Sequence, residues 1–315
     1  MLDSDVKIVV TGGAGFIGST IVQQLVERGY NNILIFDSFI RGRRKYVEDL
    51  VKKKKVKIIE GDIRNYDLLV KTIKNSKYLF HEAAVASNHC ISFPEDCINI
   101  NIRGTLNVIK ASIEEKVEKV LFASSGSIYG HPIYQPIDEL HPLNPLTPYC
   151  ISKHACEHFF KYFSLKGLRY IIFRYFNVYG PRQIPDPNYR PVVPEFVKNI
   201  LQEKSPTILG DGSQSTDFVH VRDIAQANIL GMESDIFNEV FNVGVGEMVP
   251  IKKIFEIIKE IMKTTIQPEF KQAPIIVKKR QANIEKISKQ LGYKPSVDLE
   301  DGLKETVDFL RSELI

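Results

Sequence analysis

The first half of the chain alternates short apolar runs with stretches whose apolar residues recur every three or four positions. Val6-Lys7-Ile8-Val9-Val10 breaks into Thr11-Gly12-Gly13-Ala14-Gly15-Phe16-Ile17-Gly18 and then into a helical spacing at Ile21, Val22, Leu25 and Val26. That order predicts strand, glycine turn and helix. Ile33-Leu34-Ile35-Phe36 predicts a second strand ending in Asp37, and Val56-Lys57-Ile58-Ile59-Glu60 a third that leads into Gly61-Asp62-Ile63. A short helix is expected from Tyr66 to Ile73. Lys77-Tyr78-Leu79-Phe80-His81 reads as the fourth strand, with Ala83-Ala84 beyond it, and a long helix as covering Glu95 to Glu115. Val120-Leu121-Phe122-Ala123 is the fifth strand, ending in Ser124-Ser125. Such alternation predicts an α/β fold, a doubly wound parallel sheet with helices on both faces.

The second half predicts a helix from Pro191 to Leu201 with Val193, Phe196, Val197 and Ile200 on one face. Thr207-Ile208-Leu209 enters the turn Gly210-Asp211-Gly212, and Asp217 to Asp223 lead into a helix from Ile224 to Gly231. A strand follows at Glu239-Val240-Phe241-Asn242-Val243-Gly244, then an amphipathic helix from Ile251 to Ile261 and a last helix burying Leu303, Val307 and Leu310.

Chemistry enters through the glycines. They permit a turn at φ angles closed to other residues, close approach of backbone to a diphosphate, and close packing of helix on strand. The helix N-terminus presents unpaired N–H groups to the anion. Asp37 lies nineteen residues beyond Gly18, at a strand tip where an acid accepts hydrogen bonds from an adenosine ribose diol and repels a 2′-phosphate, which favours NAD over NADP. Arg41, Arg43 and Arg44 follow closely and would tolerate a phosphate if Asp37 turned away. Ligands of a Rossmann sheet sit beyond the carboxyl ends of its strands, so Gly12, Asp37, Asp62, Ala83 and Ser125 are expected to converge on one crevice.

Composition narrows the class. The 315 residues are ample for a buried core, and a net charge of +4 is small for that length. Lys52-Lys53-Lys54-Lys55 is bounded by Val51 and Val56, like a solvated helix end before a strand, and no aromatic or Arg-rich stripe accompanies it. Neither nucleic acid nor an anionic membrane is therefore an expected partner. Cys90, Cys97, Cys150 and Cys156 show neither CxxC spacing nor the density of a disulfide scaffold, which fits a reducing compartment. With no apolar run long enough to span a bilayer, cytoplasmic residence is expected. His154 and His158 share a helical face without a third ligand at sensible spacing, so no metal site is expected.

Pro148-Tyr149-Cys150-Ile151-Ser152-Lys153 opens a helix with apolar positions at Ile151, Phe159, Phe160 and Phe163. Tyr149 and Lys153 are four apart and share a face. An ammonium near the phenol favours phenolate, which suits Tyr149 to general acid/base work, and Ser125 at its strand end can supply a second hydrogen bond to a reacting hydroxyl.

Taken together the chain resembles the extended short-chain dehydrogenase/reductases, in their NAD-dependent nucleotide-sugar epimerase and dehydratase branch, with UDP-glucose 4-epimerase-like features. The matching segments are the glycine loop, Gly61-Asp62-Ile63, His81-Glu82-Ala83-Ala84, Asn101 to Asn107, Ser124 to Gly130, Tyr149 with Lys153, Phe173 to Gln183, and Gly210-Asp211-Gly212. The resemblance implies NAD held by Gly12, Gly15, Phe16, Ile17, Gly18, Asp37, Asp62, Ile63, Ala83, Ala84, Asn101, Tyr149 and Lys153. It implies Tyr149 and Lys153 as the catalytic pair, Ser125 assisting, and a nucleotide-sugar site including Ser87, Ser125, Ser127, Tyr149, Asn177 and Arg280. Residues 1–175 would form the NAD-binding domain and 176–315 mainly a smaller α/β substrate domain, with segments around 216–245 returning to the first. A homodimer built on a four-helix bundle, from the Glu95–Glu115 and Tyr149 helices, is also implied.

Dehydratases and decarboxylases of this branch usually carry an acid just after the catalytic hydroxyl, as an additional proton carrier. Here the positions are Gly126 and Ser127, which favours a 4-epimerase that oxidises the sugar C4 and returns the hydride. A C4 dehydrogenase that releases the ketone is the runner-up. A non-catalytic dinucleotide sensor is disfavoured, because Tyr149, Lys153 and Ser125 are all kept. Thr216 and Ala273 replace two arginines that hold the diphosphate in UDP-sugar epimerases. Lys278, Lys279 and Arg280 lie close by, and Arg280 falls where relatives gate the sugar pocket, although a basic strand facing solvent reads equally well. The nucleotide stays open among UDP, GDP and dTDP hexoses.

Overall fold

The computed structural model describes residues 4–186, 190–272 and 279–315. Its strands are β1 (Ile8–Thr11), β2 (Ile33–Asp37), β3 (Val56–Glu60), β4 (Tyr78–His81), β5 (Lys119–Ser125), β6 (Tyr170–Tyr175), β7 (Asn177–Tyr179), β8 (Thr207–Leu209), β9 (Ser215–Thr216), β10 (Phe218–His220), β11 (Glu239–Val243), β12 (Val249–Pro250), β13 (Glu269–Lys271) and β14 (Lys279–Arg280). The helices are α1 (Phe16–Glu27), α2 (Glu48–Lys52), α3 (Tyr66–Ile73), α4 (Ser87–Ser92), α5 (Pro94–Asp96), α6 (Thr105–Glu114), α7 (Pro148–Ser164), α8 (Val192–Leu201), α9 (Val221–Glu233), α10 (Ile251–Met262), α11 (Glu285–Leu291) and α12 (Leu299–Leu314).

Seven strands form one sheet in the order β3-β2-β1-β4-β5-β6-β11, every neighbouring pair parallel. The sheet is covered on both faces, so its strands are apolar on both sides, as parallel sheets require. Ile8 and Val10 pack with Ile21, Val22 and Leu25 of α1 and Ile224 and Ala227 of α9. Val9, between them, packs on the other side with Leu69, Val108 and Phe160 of α3, α6 and α7. Each such side chain, removed from water, stabilises the fold by about 1.5–3 kcal/mol. The chain reverses direction across the sheet between β1 and β4, and the crevice beyond their carboxyl ends is the place for a ligand.

A third core joins α8, α10 and α12 through Phe196, Val197, Ile254, Phe255, Leu303 and Val307. Two small ladders lie between it and the sheet. β7 runs parallel to β10, setting Asn177 against Phe218, and β9 is flanked by β12 and by β14, which sets Arg280 against Thr216. From the second half, β11 enters the main sheet and α9 packs on α1, where Arg28 pairs with Glu233 at 2.7 Å.

Several expectations need correction. The helix from Glu95 to Glu115 is not uniform: between α5 and α6, Cys97–Gly104 winds as a π-helix. Ile151, one of the apolar positions of α7, is 53% exposed, while Cys150, Ser152, Lys153, Cys156 and Glu157 of that helix are buried. Cys90 and Cys97 are joined by a disulfide, although their number and spacing pointed to free thiols; Cys150 and Cys156 are free and buried. Among the described residues no helix is long and apolar enough to cross a membrane.

Candidate active site

The glycine loop has the shape expected of an anion cradle. Gly12 has φ +69°, and a Cβ there would stand 2.7 Å from the Ala83 amide nitrogen; one on Gly18 would stand 2.3 Å from the Gly12 carbonyl. Only hydrogen fits at either position. Gly15 caps α1 without a side-chain hydrogen bond, and no acidic residue occupies the first turn. The leading N–H groups, beside Phe16, Ile17 and Gly18, are therefore left for a ligand, which is the donor set that a dinucleotide diphosphate takes. By that test the residues fit NAD.

Around this cradle the structure arranges the expected residues unequally. Ala83 and Ala84 lie half-buried just beyond β4, Ala83 against Gly12. Asp37 is at the tip of β2 but is only 6% exposed, and its carboxylate accepts from the Ala14 and Phe39 amides at 2.9 and 2.8 Å. Burial pushes its pKa up against those two bonds. Asp37 thus holds the glycine loop in shape, with one amide bond on each oxygen and acceptor capacity left on both. Arg41 and Arg44 are committed to Asp186 and Glu60. Asp62 binds the guanidinium of Arg64 at 2.6 Å, which lowers its pKa. Ile63 is buried under Gly104, whose Cβ would clash with it. Asn101, 1% exposed, spans Val85 and Ser152: it accepts from the Val85 amide at 2.9 Å and donates to the Ser152 hydroxyl at 3.1 Å. Its amide ties the β4 loop to α7.

The reacting groups meet at the ends of β5 and α7. Thr147 caps α7, accepting from the Cys150 amide, and Pro148 takes the first helical position, where its missing N–H costs nothing. Tyr149 follows in the same first turn. Lys153 Nζ lies 5.8 Å from the Tyr149 ring centroid and donates to the Ala123 carbonyl of β5 at 2.7 Å. Burial pulls the lysine pKa down, opposed by Cys156, Glu82 and Glu157. Ser125 Oγ lies 2.7 Å from Ser127 Oγ, and the Cys150 thiol donates to Ser127 at 3.3 Å. Tyrosine, lysine and the two serines thus share one end of the sheet.

Two features here went unread in the sequence. Glu82, inside a tip read only for its small residues, accepts from the Tyr175 hydroxyl at 2.9 Å, and burial pushes its pKa up to about 7. Behind α7, the Arg174 guanidinium grips both oxygens of Glu157 at 3.0 and 2.7 Å, while Ser124 donates to the same carboxylate at 2.5 Å. No sequence spacing marks either pair; only the juxtaposition of β4, β5, β6 and α7 does.

On the substrate side, Ser87 opens α4, and Asn177 is half-buried in β7, its amide donating to the Asp217 carbonyl at 3.1 Å. Lys279 is exposed while Arg280 turns inward, so β14 is not a basic strand simply facing water. Ala273 and Lys278 lie outside the described residues. His154 and His158 face each other with Nε2 atoms 3.0 Å apart; among the described residues no group of three His, Cys, Asp or Glu could hold a metal.

A parallel sheet with a glycine cradle at its switch point and a tyrosine–lysine helix beside it defines a dinucleotide-dependent enzyme class. The model of the NAD dependent epimerase/dehydratase family matches residues 8–244, and the chain belongs to that family. Among similar solved structures is a UDP-N-acetylglucosamine 4-epimerase from Methanobrevibacter ruminantium in complex with UDP-N-acetylmuramic acid, 37% identical, with a TM-score of 0.93 and coverage of 98% of this chain and 99% of that one. A UDP-glucose 4-epimerase from Thermotoga maritima with UDP-glucose is 34% identical, with a TM-score of 0.91 over 98% and 100% of the two chains. A UDP-glucuronic acid 4-epimerase from Bacillus cereus, in complex with UDP-glucuronic acid and NAD, is 31% identical, with a TM-score of 0.90 over 98% and 100%. The cofactor of the chain, as of its family, is NAD.

Proposed function

We propose that the chain is a nucleotide-sugar 4-epimerase that takes UDP-sugars, with Tyr149 as the acid/base. The observation that carries the reading is Tyr149 and Lys153 on one face of α7, with Lys153 tied to β5 two residues before Ser125. Bound NAD supplies the oxidant that takes hydrogen from the sugar C4 and gives it back. Tyr149 as phenolate accepts the C4 hydroxyl proton, Ser125 donates a hydrogen bond to the carbonyl oxygen that develops, and Lys153 holds the charge of the phenolate. Tyr149 then returns the proton to the alcohol of opposite hand. Gly126 and Ser127, where a dehydratase has an acid, leave no further proton carrier for elimination. The UDP assignment is supported by the three relatives above, whose sugars are both neutral and acidic.

NAD would lie along the glycine cradle, Ala83 and Ala84, with Asp37, Asp62, Ile63 and Asn101 shaping its borders; Ser87, Ser127 and Asn177 would face the sugar nucleotide. Residues 1–175 carry the cofactor and 176–315 mainly the substrate in this reading. A homodimer is supported by Ile91, Phe93, Ile98, Ile151 and Tyr162, all exposed on or beside the two helices expected to pair; light scattering should read twice the chain mass. Cytoplasmic residence is supported by the free thiols of Cys150 and Cys156, not by the disulfide.

Replacing Tyr149 by Phe should lower turnover of UDP-glucose to its C4 epimer at least about a hundredfold, with NAD still bound in a fluorescence titration. Unchanged turnover in that variant sinks the mechanism.

A further inference from the structure

His154 and His158 lie one turn apart on α7, on the side away from the reacting groups. Lys153, Cys156, Glu157 and Phe160 are buried, whereas His154 is half-buried and His158 exposed. The two ring centroids are 4.7 Å apart and the Nε2 atoms converge to 3.0 Å. Two nitrogen ligands of a tetrahedral zinc ion, each about 2.0–2.1 Å from the metal, stand about 3.3 Å from one another. The pair is therefore already close to the bite of a chelate. In the neutral pair one Nε2 carries a proton that the other accepts, and moving that proton to Nδ1 of its own ring frees both lone pairs. Burial, and then the neighbouring His158, pull the His154 pKa below its ordinary value, which keeps His154 neutral as a metal ligand must be.

The residues run His154-Ala155-Cys156-Glu157-His158, an order also found in zinc hydrolases. The acid cannot activate water here, because Glu157 is buried and held by Arg174 and Ser124. A metal at this place is structural, and the pair supplies only two of the four ligands it needs.

The rest of the helix face says where the other two come from. Ile151 stands three residues before His154 and Tyr162 four after His158, and they are 53% and 52% exposed. In a two-fold contact between copies, residue i meets residue j and j meets i. With α7 packed antiparallel on its own copy about an axis through the middle of the histidine pair, Ile151 falls against Tyr162 and His154 against His158. One register thus covers both apolar ends and brings four imidazoles to one point, a ligand set suited to zinc, copper or nickel.

We propose that His154 and His158 of two copies hold one divalent cation of this kind at the two-fold axis, clamping the dimer at the outer face of the catalytic helix. This rests on the homodimer of the reading above and not on its chemistry.

The test titrates NAD-loaded protein, freed of metal by dialysis against EDTA, with zinc chloride, reading stoichiometry by calorimetry and self-association by sedimentation. The wild type should bind one zinc per two chains, and zinc should tighten the dimer at least about tenfold, reversibly on adding EDTA. Cobalt chloride in place of zinc should give the visible bands of a tetrahedral site. His158→Ala should lose the zinc binding, the tightening and the cobalt bands while keeping the wild-type urea midpoint and turnover. A dimer of the same strength with and without zinc, binding none, overturns the inference and leaves the homodimer standing. A monomer that binds no zinc removes both, and one zinc per chain on a monomer overturns the bridge. Zinc binding that survives in His158→Ala assigns the ion to other groups and likewise overturns the inference.

Discussion

Arg174 and Arg280 are both withdrawn from water near the catalytic helix, yet their surroundings differ in kind. Arg174, 5% exposed, spends its fork on Glu157, and donates to the Tyr129 hydroxyl at 2.7 Å and the Glu139 carbonyl at 3.2 Å. Tyr129 in turn donates to Asn242 of β11 at 2.7 Å. Burial by itself would lower the Arg174 pKa, but the paired carboxylate more than offsets it and the net direction is up. Arg280 is half-buried with its Nε sealed from solvent, has no such pairing among the described residues, and its pKa moves down. A buried arginine inside a closed network belongs to the architecture, because every donor is answered by the chain itself. One with unanswered donors belongs to something that binds.

The contrast can be broken by substitution. Arg174→Met should cost about 3–5 kcal/mol in urea unfolding, since it leaves Glu157 charged and buried with only Ser124 beside it. Arg280→Met strands no partner and should stay within about 1 kcal/mol of the parent. Comparable losses in the two variants would erase the distinction.

Asp217 tests the frame that aims Arg280. Asp217→Ala strips the acceptor from the amides of Val245, Gly246 and Ala282 and should cost about 3 kcal/mol. A variant that unfolds at the same urea concentration as the parent would mean those amides find other partners.

Glu82 sharpens the comparison from the acidic side, because a carboxyl can neutralise itself where a guanidinium cannot. Its ordinary value is 4.5 and burial raises it to about 7 in the fold, against the Tyr175 bond and the Lys153 charge. The folded state therefore holds the proton more tightly than the unfolded chain. The stability this group contributes is full below about pH 4.5 and is lost as pH rises through about 7. Glu82→Gln should match the parent near pH 4 and exceed it by about 3 kcal/mol near pH 8. Thermal unfolding across that range checks the sign, and a variant less stable at pH 8 refutes the assignment.

The first five strands, α1, α3 and α7 were legible because each carries its own period, whereas α4 was not read. The apolar run of β1, the glycines of the loop and the spacing of α1 are local patterns with local causes. The disulfide between Cys90 and Cys97 was not legible, since two cysteines seven apart pair only if the chain between them folds back. The π-helical stretch Cys97–Gly104 was missed for a similar reason. Its apolar positions suit an ordinary helix, and packing decides the winding. The neighbours of Asn101 and Ile63, namely Val85, Ser152 and Gly104, were not legible either, because they come from other segments of the chain.

By itself, then, the sequence determined the sheet-forming runs, the glycine cradle and the Tyr149–Lys153 face, because these rest on steric limits of single residues and on spacings within one helix. The tertiary structure alone decided that β11 closes the sheet beside β6, that Arg174 meets Glu157, and that Arg280 rather than Lys279 turns inward. Each of those depends on which distant segments share a boundary away from water. A charge reveals its purpose only when the groups brought around it, or left out, are known.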